Sequence, residues 1–396
     1  MGLNRAINSF CLAVTTFVVT ACQSTTTAPL ISTEGATLIS QAENKMSHCA
    51  STVIRLDGEV WCAYYRDLVG NVEDPVNTSI EIVLSRFYIN EWQTPKITHT
   101  TLFKAGDRLG DFTQGNYAAY DPILFEVDGA MRCIVQAFED GESCLAAFDI
   151  DLKSGKSLDR MMRCMLTYAT EKGNKTVPLK ASALRDLYVQ NGTTSFKNYE
   201  RPLIDKQFVR HGEWYYNVLC SWYCIEARPM VVRTKDGINY ELVFVCPEFE
   251  YGCTEASMAI ADERIYLIGR SRSPKRGSFL GCYSLSGECL TTPYHVGDDG
   301  SRPEMIVRKG KIYAMYNILP LLKDENGEEI YRSRVRLAEL DKDCRIVHSW
   351  DYEAPYSIQY FCLDEHEGEV YLTFTEDRFR RADKQKGNIA FVKTNL

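Results

Sequence analysis

One phrase recurs six times along the 396 residues: a turn, usually with glycine, then a short strand of apolar and aromatic residues. It reads Gly58-Glu59-Val60-Trp61-Cys62-Ala63, then Gly129-Ala130-Met131-Arg132-Cys133-Ile134, then Gly212-Glu213-Trp214-Tyr215-Tyr216-Asn217. It returns as Glu263-Arg264-Ile265-Tyr266-Leu267-Ile268, Gly310-Lys311-Ile312-Tyr313-Ala314-Met315 and Gly368-Glu369-Val370-Tyr371-Leu372-Thr373. The steps between first residues are 71, 83, 51, 47 and 58 residues. Each phrase is followed by a second strand-like segment, such as residues 80–85, 144–150 or 335–340. A repeat of this length made only of strands cannot bury its apolar face alone, and radial stacking of small sheets resolves that. The prediction is an all-β, six-bladed β-propeller, whose loops gather around one central pocket.

The first residues lie outside that repeat. Arg5 precedes an apolar run at residues 10–19, too short to span a bilayer as a mature helix. This is a secretory signal pattern, and it ends in Val19-Thr20-Ala21-Cys22, which resembles a bacterial lipobox. The resemblance implies cleavage before Cys22 and acylation of that residue. The expected organisation is a signal peptide over 1–21, a flexible polar tether over 22–45, and one propeller domain over 46–396. The expected location is an exported, membrane-anchored lipoprotein at the outer membrane or cell surface. A long connection at about 152–207, with alternating charge and helix-compatible residues, is expected to be an insertion over one rim. A net charge of −8 without a basic stripe argues against nucleic acid.

Fifteen cysteines are many for such a chain. Cys282 and Cys289 flank a turn, and Cys220 and Cys224 are close in sequence; either pair is a disulfide candidate in an exported protein. Cys62, Cys133 and Cys362 sit inside strands and read as buried small hydrophobes. Zinc spacing is absent, so no metal is expected. No residue pattern calls for a cofactor.

The turn Thr234-Lys235-Asp236-Gly237-Ile238-Asn239-Tyr240 resembles a degenerate Asp box, and Leu340-Asp341-Lys342-Asp343 resembles a weaker copy. The opening Ser47-His48-Cys49-Ala50-Ser51-Thr52, with Asp57-Gly58 and Glu73 beyond it, is similar to the first blade of sialidase-like proteins of the BNR-repeat class. That resemblance covers roughly residues 46–380. It implies a glycan substrate and an exo-acting glycoside hydrolase, with three arginines on a substrate carboxylate, a Tyr nucleophile, a Glu that takes its proton, and an acidic residue as acid. A bidentate guanidinium suits a carboxylate, and a neutral phenol approaches an anionic sugar with less repulsion than a carboxylate would.

Carried onto this chain, the resemblance makes Glu255 the base and Arg270 an arginine of the clamp. Arg334 is the third arginine in order, with Arg332, Arg336 and Arg302 as competitors. Tyr356 is the nucleophile, with Tyr360 as its alternative. Glu73 and Asp74 fall where the acid belongs. Asp121 and Arg228 enter strands from the rim and are candidates for lining the pocket. Where the first arginine belongs, ten residues before Gly58, this chain has His48. Two further readings follow from that exchange. A His beside a Tyr and an Arg suits β-elimination on a uronic acid, as in propeller-shaped polysaccharide lyases. A broken clamp also suits a non-catalytic glycan-binding propeller.

Overall fold

The computed structural model describes residues 30–40, 46–67, 80–104, 107, 120–139, 141–192, 201–222, 227–249, 252–271, 276–297, 301–377 and 387–396. Each recurring phrase forms the second strand of an antiparallel meander: Glu59–Asp67, Ala130–Glu139, Trp214–Trp222, Arg264–Ser271, Lys311–Asn317 and Glu369–Asp377. The turn before the phrase explains its glycine. At Asp128-Gly129, Lys309-Gly310 and Glu367-Gly368 both residues have positive φ. That is the hairpin geometry whose twist matches the flanking strands. Asp262-Glu263 adopts it without a glycine.

Among the described residues the meanders build five four-stranded sheets and one seven-stranded sheet, with a separate two-stranded ribbon. The apolar clusters show how the sheets stack. Trp61 and Ile82 of the first sheet pack with Met131 and Phe148 of the second. Phe125 and Leu145 pack with Met230 and Val232 of the seven-stranded sheet. Val218 meets Met258, Ile268 meets Ala314, Met315 meets Leu372, and Phe391 meets Tyr64. The last contact returns to the first sheet, so the stack is closed into a β-propeller arrangement. Closure also uses the N-terminal side of the chain, because Thr37–Leu38 pairs with Gly387–Lys393 and completes the last sheet. Since every phrase strand is covered on both faces, it reads as a nearly continuous apolar run rather than an alternation.

The expected insertion resolves into several pieces. Ser157–Arg163 is the outer strand of the second sheet. The hairpin Met165–Thr170 and Gly173–Pro178 joins the strand Asn239–Val245, with Met165 opposite Asn239 in parallel, and so lengthens the seven-stranded sheet. Helix Ala181–Gln190 buries Ala181, Leu184, Leu187 and Tyr188, one stripe at helical spacing, against Leu145 and Ile204.

At the turn after Met230–Thr234, Asp236 accepts the backbone N–H groups of Ile238 and Asn239 at 2.8 and 2.7 Å. Tyr240 is buried beneath it and donates to the Gly237 carbonyl. Cys282 and Cys289 do not face each other. Cys282 stands opposite Thr291 and Cys289 opposite Tyr283, so the register puts the two cysteines out of step, and both are free thiols. Cys224 lies outside the described residues.

Candidate functional site

The first strands of the sheets line the inside of the ring: Met46–Ile54, Tyr120–Val127, Arg201–Ile204, Glu255–Ala261, Glu304–Arg308 and Ser357–His366. Three of them share a distortion near their starts. Pairing slips between His48 and Ser51, between Tyr120 and Ile123, and between Gln359 and Cys362. Each slip holds one extra residue, a β-bulge, and in each a non-glycine residue has positive φ: Cys49 at 52°, Asp121 at 45° and Tyr360 at 56°. Such a backbone costs roughly 1–2 kcal/mol per residue, and strain of this kind gathers at functional positions.

The bulges converge on one charged cluster. Glu255 and Arg270 face each other across a hairpin and form an ion pair with both side chains almost wholly buried. Arg302 is 1% exposed and donates to the Ile204 carbonyl. Arg332, itself at positive φ, donates to Gln359 Oε1, and its guanidinium lies 5.4 Å from the Tyr360 ring centre. Tyr360 meets the His48 ring edge-on at 4.2 Å. His48 Nδ1 is 3.2 Å from the Tyr65 hydroxyl and 3.1 Å from Cys49 Sγ. Lys206 donates to the Tyr360 carbonyl at 2.8 Å. It also reaches a cavity of about 340 Å³ at the far end of the same inner strands, lined with Gln207, Phe125, Tyr215 and Asp364.

Burial and mutual charge set the protonation states. Burial alone would raise Glu255, but the guanidiniums of Arg270, Arg302 and Arg332 outweigh it and hold the carboxyl below its usual range. Burial pushes the Tyr360 phenol up, against the pull of Arg332 and Arg270, so it is neutral at ordinary pH. Burial lowers Lys206 and raises the Cys49 thiol, the latter with help from Asp121. Beneath Arg302, burial lifts Asp205 to about 6 and Glu304 well above its usual value.

Among the sequence candidates, Glu255, Arg270, Arg302, Asp121 and His48 are brought together. Asp121 belongs because its charge acts on both Arg302 and Cys49. Tyr356 is held elsewhere. Its hydroxyl meets Thr33 Oγ1 at 2.8 Å, and its ring packs on the apolar cluster of the last two sheets with Val335 and Leu337. Arg334 pairs with Glu353 at 2.9 Å and Asp351 at 3.7 Å, and Arg336 pairs with Asp351. Arg332, two residues earlier, turns into the cluster because its backbone leaves the strand conformation. Arg228 is half-buried, and among the described residues no hydrogen bond or ion pair joins it to the cluster. Glu73, Asp74 and Cys22 lie outside the described residues. Among the described residues no group of three or more His, Cys, Asp or Glu is placed to hold a metal ion.

Lys206, Asp205 and Tyr65 carry no motif that marks them. Tyr65 lies two residues beyond the first recurring phrase, and Asp205-Lys206 lies at the end of the stretch read as an insertion. Asp205 and Lys206 enter the site because the inner strand Arg201–Ile204 ends beside the Ser357–His366 strand, and Tyr65 enters it because it stands opposite His48.

No protein-family model matches the sequence, and no curated protein matches it. Solved structures do match in fold. The NanB sialidase of Streptococcus pneumoniae aligns with a TM-score of 0.55 and 11% identity over 91% of this chain and 71% of its own. Trypanosoma rangeli sialidase, solved with sialic acid, aligns at 0.52 and 9% identity over 89% of this chain. A mutant of it displaying trans-sialidase activity aligns at 0.51 and 12% identity over 88%. This chain spans 54% of the length of those two trypanosomal chains. The fold is a sialidase-like propeller.

Proposed function

We propose that the protein is a glycan-active propeller enzyme, an exo-acting glycoside hydrolase that takes a carboxylate-bearing sugar at a chain end. The observation that carries this reading is the bracketing of Tyr360 by Glu255, Arg270, Arg332 and His48. Arg270, Arg302 and Arg332 form a buried cationic group suited to a carboxylate. Arg302 then stands in for the arginine that His48 replaces.

In this reading Tyr360 Oη attacks the anomeric carbon while Glu255 takes the phenolic proton. The glycosidic C–O bond breaks, and the leaving oxygen receives a proton from Glu73 or Asp74. Water then attacks the anomeric carbon and gives its proton to that same carboxylate. The Tyr360–carbon bond breaks, and Glu255 returns the proton to the phenolate. The depressed Glu255 stays ionised at neutral pH, and the raised Tyr360 stays a neutral phenol until the sugar arrives. The fold likeness to sialidases supports the reaction class and leaves the sugar open.

The test is hydrolysis of sialosides and uronate-capped oligosaccharides. Tyr360→Phe should abolish turnover, and Glu255→Gln should lower kcat by about 10²–10⁴-fold. Tyr356→Phe separates the two tyrosines. Full activity in Tyr360→Phe with loss in Tyr356→Phe would return the nucleophile to Tyr356.

One observation favours a second reading. The His48 imidazole lies against Tyr360 with its Nδ1 within reach of Tyr65, and such a pair suits β-elimination. A uronic acid would lose its C5 proton to one of the pair, its C4–O bond would break, and the other would protonate the departing oxygen. The unsaturated product absorbs in the near ultraviolet, and a product without that absorbance excludes this reading.

We also propose that the seven-stranded sheet is the sixth blade, extended by its hairpin, and that the Asp236 turn is an Asp-box hairpin. Export and lipidation at Cys22 complete the proposal. Labelling with radioactive palmitate should mark the full chain and not Cys22→Ser.

A further inference from the structure

Cys220 and Cys253 come together across the boundary between two sheets. Their sulfurs are 3.8 Å apart, and both residues are buried. Cys220 lies in the strand Trp214–Trp222, opposite Leu203. Cys253 precedes the strand Glu255–Ala261 of the next sheet, and its backbone N–H is held by the Ala227 carbonyl. Main-chain bonds therefore fix both positions independently of the sulfurs. The space around Cys253 is also kept by a glycine, since a Cβ at Gly269 would sit 2.6 Å from its sulfur. An S–S bond of about 2.05 Å needs the sulfurs to close by less than ~2 Å, within the reach of side-chain rotation. A third cysteine, Cys246, belongs to the same apolar cluster. All twelve described cysteines are free thiols here.

We propose that Cys220 and Cys253 form a disulfide when the chain folds in the presence of a small disulfide oxidant. One cysteine thiolate attacks a sulfur of the oxidant, whose S–S bond breaks and releases the first thiol. The other cysteine attacks the protein sulfur of that mixed disulfide, which releases the second. Two protein thiols are oxidised, one external disulfide is reduced to two thiols, and the cysteine protons pass to solvent and to the departing thiolates. The bond belongs to folding rather than to the finished molecule, because burial and the neighbouring sulfur hold the Cys220 thiol well above its ordinary range once the core has closed. The crosslink ties two adjacent sheets directly before Glu255, and so holds the rim from which that carboxylate enters the cluster.

The test is refolding of the denatured, reduced full chain in a mixture of oxidised and reduced glutathione. Free thiols are then blocked with N-ethylmaleimide and the digest is read by mass spectrometry. The expected result is a dominant peptide pair joining Cys220 to Cys253, which dithiothreitol separates. Cys246→Ser should keep the pair and Cys220→Ser should remove it. Closing a loop of this length should raise Tm by roughly 5 °C over the reduced protein. Blocked thiols at both Cys220 and Cys253 in correctly refolded protein would overturn the proposal. So would a dominant link from either one to Cys246, or loss of the pair in Cys246→Ser. The link is read by mass without any substrate, so it fails or stands apart from the hydrolase reading.

Discussion

Replacing Glu255 by Gln should damage the fold as well as the chemistry, and the size of the damage follows from the surroundings. Glu255 and Arg270 are each 3% exposed at the side chain, so solvent screens their attraction poorly. Arg302 and Arg332 also act on the same carboxylate. Removing the negative charge takes the ion-pair carboxylate from Arg270 and part of the balancing charge from Arg302 and Arg332, while Asp121 and Asp205 still act on Arg302. Breaking a buried ion pair from one side costs about 3–5 kcal/mol. Unfolding entropy near 2.1 cal/mol/K per residue gives about 0.8 kcal/mol/K for a chain this long, so Tm should fall by roughly 4–6 °C. The loss has a pH signature. Glu255 is depressed in the folded state, so its contribution is present above the unfolded carboxyl range and fades as pH falls through the folded value. Urea unfolding of wild type and Glu255→Gln at pH 7, 5 and 3 therefore gives a stability difference that shrinks toward acid. A difference below about 0.5 kcal/mol at pH 7, or one that stays constant down to pH 3, would refute the view that this carboxylate neutralises the arginine cluster.

Tyr360→Gly should be more stable than Tyr360→Ala by roughly 1 kcal/mol in urea titrations, because position 360 has φ of 56°; the reverse order, normal for a strand, would show that the bulge relaxes. Asp364→Asn should gain stability over wild type as pH rises from 4 to 8. Burial lifts the Asp364 carboxyl to about 7, so wild type loses stability between the unfolded and folded values, and a pH-independent difference in Tm would contradict this. Gly237→Ala should cost at least about 1 kcal/mol, since φ is +71° and the new Cβ would stand 2.6 Å from Phe125; calorimetry checks it. Tyr356→Phe should cost about 1 kcal/mol through loss of the Thr33 hydrogen bond, read from urea midpoints.

The repeat was legible because one physical demand produces it. A strand covered on both faces must be apolar throughout, and a tight hairpin before it needs positive φ, so glycine and an aromatic run recur together. Glu255 and Arg270 were legible for a similar reason. Fifteen residues apart around a two-residue turn, they fall opposite each other in any regular hairpin, as the register has them. The choice among Arg332, Arg334 and Arg336 was not legible. Alternation along a strand puts 334 and 336 on one side, and only the left-handed backbone at Arg332 redirects that residue. The two tyrosines near residue 360 differ likewise. Strand alternation alone puts Tyr356 and Tyr360 on the same side, but the bulge after Gln359 adds one residue and swings Tyr360 inward. Bulges leave no mark in the sequence, because Cys, Asp and Tyr at these positions are chosen for what their side chains meet rather than for backbone preference.

That last point bears on how the site is built. Cys49, Asp121 and Tyr360 occupy equivalent slips in three different sheets, and glycine would fill each at lower cost. A distortion retained once is an accident of packing; the same distortion in three inner strands, each with a side chain reaching one cluster, has a common cause. In a regular inner strand successive side chains stand out from the two faces of the sheet toward the neighbouring sheets, where the cores already fill the space. A bulge rotates one side chain out of that plane toward the axis without shifting the pairing of the rest, which resumes at Ser51, Ile123 and Cys362. The sheets thus keep their apolar contacts, with Cys49 and Tyr360 still packed in the cluster of the first two sheets, while Asp121 and Tyr360 also reach the charged cluster. The left-handed backbone is the cost of presenting polar side chains from strands whose two faces are already committed to packing.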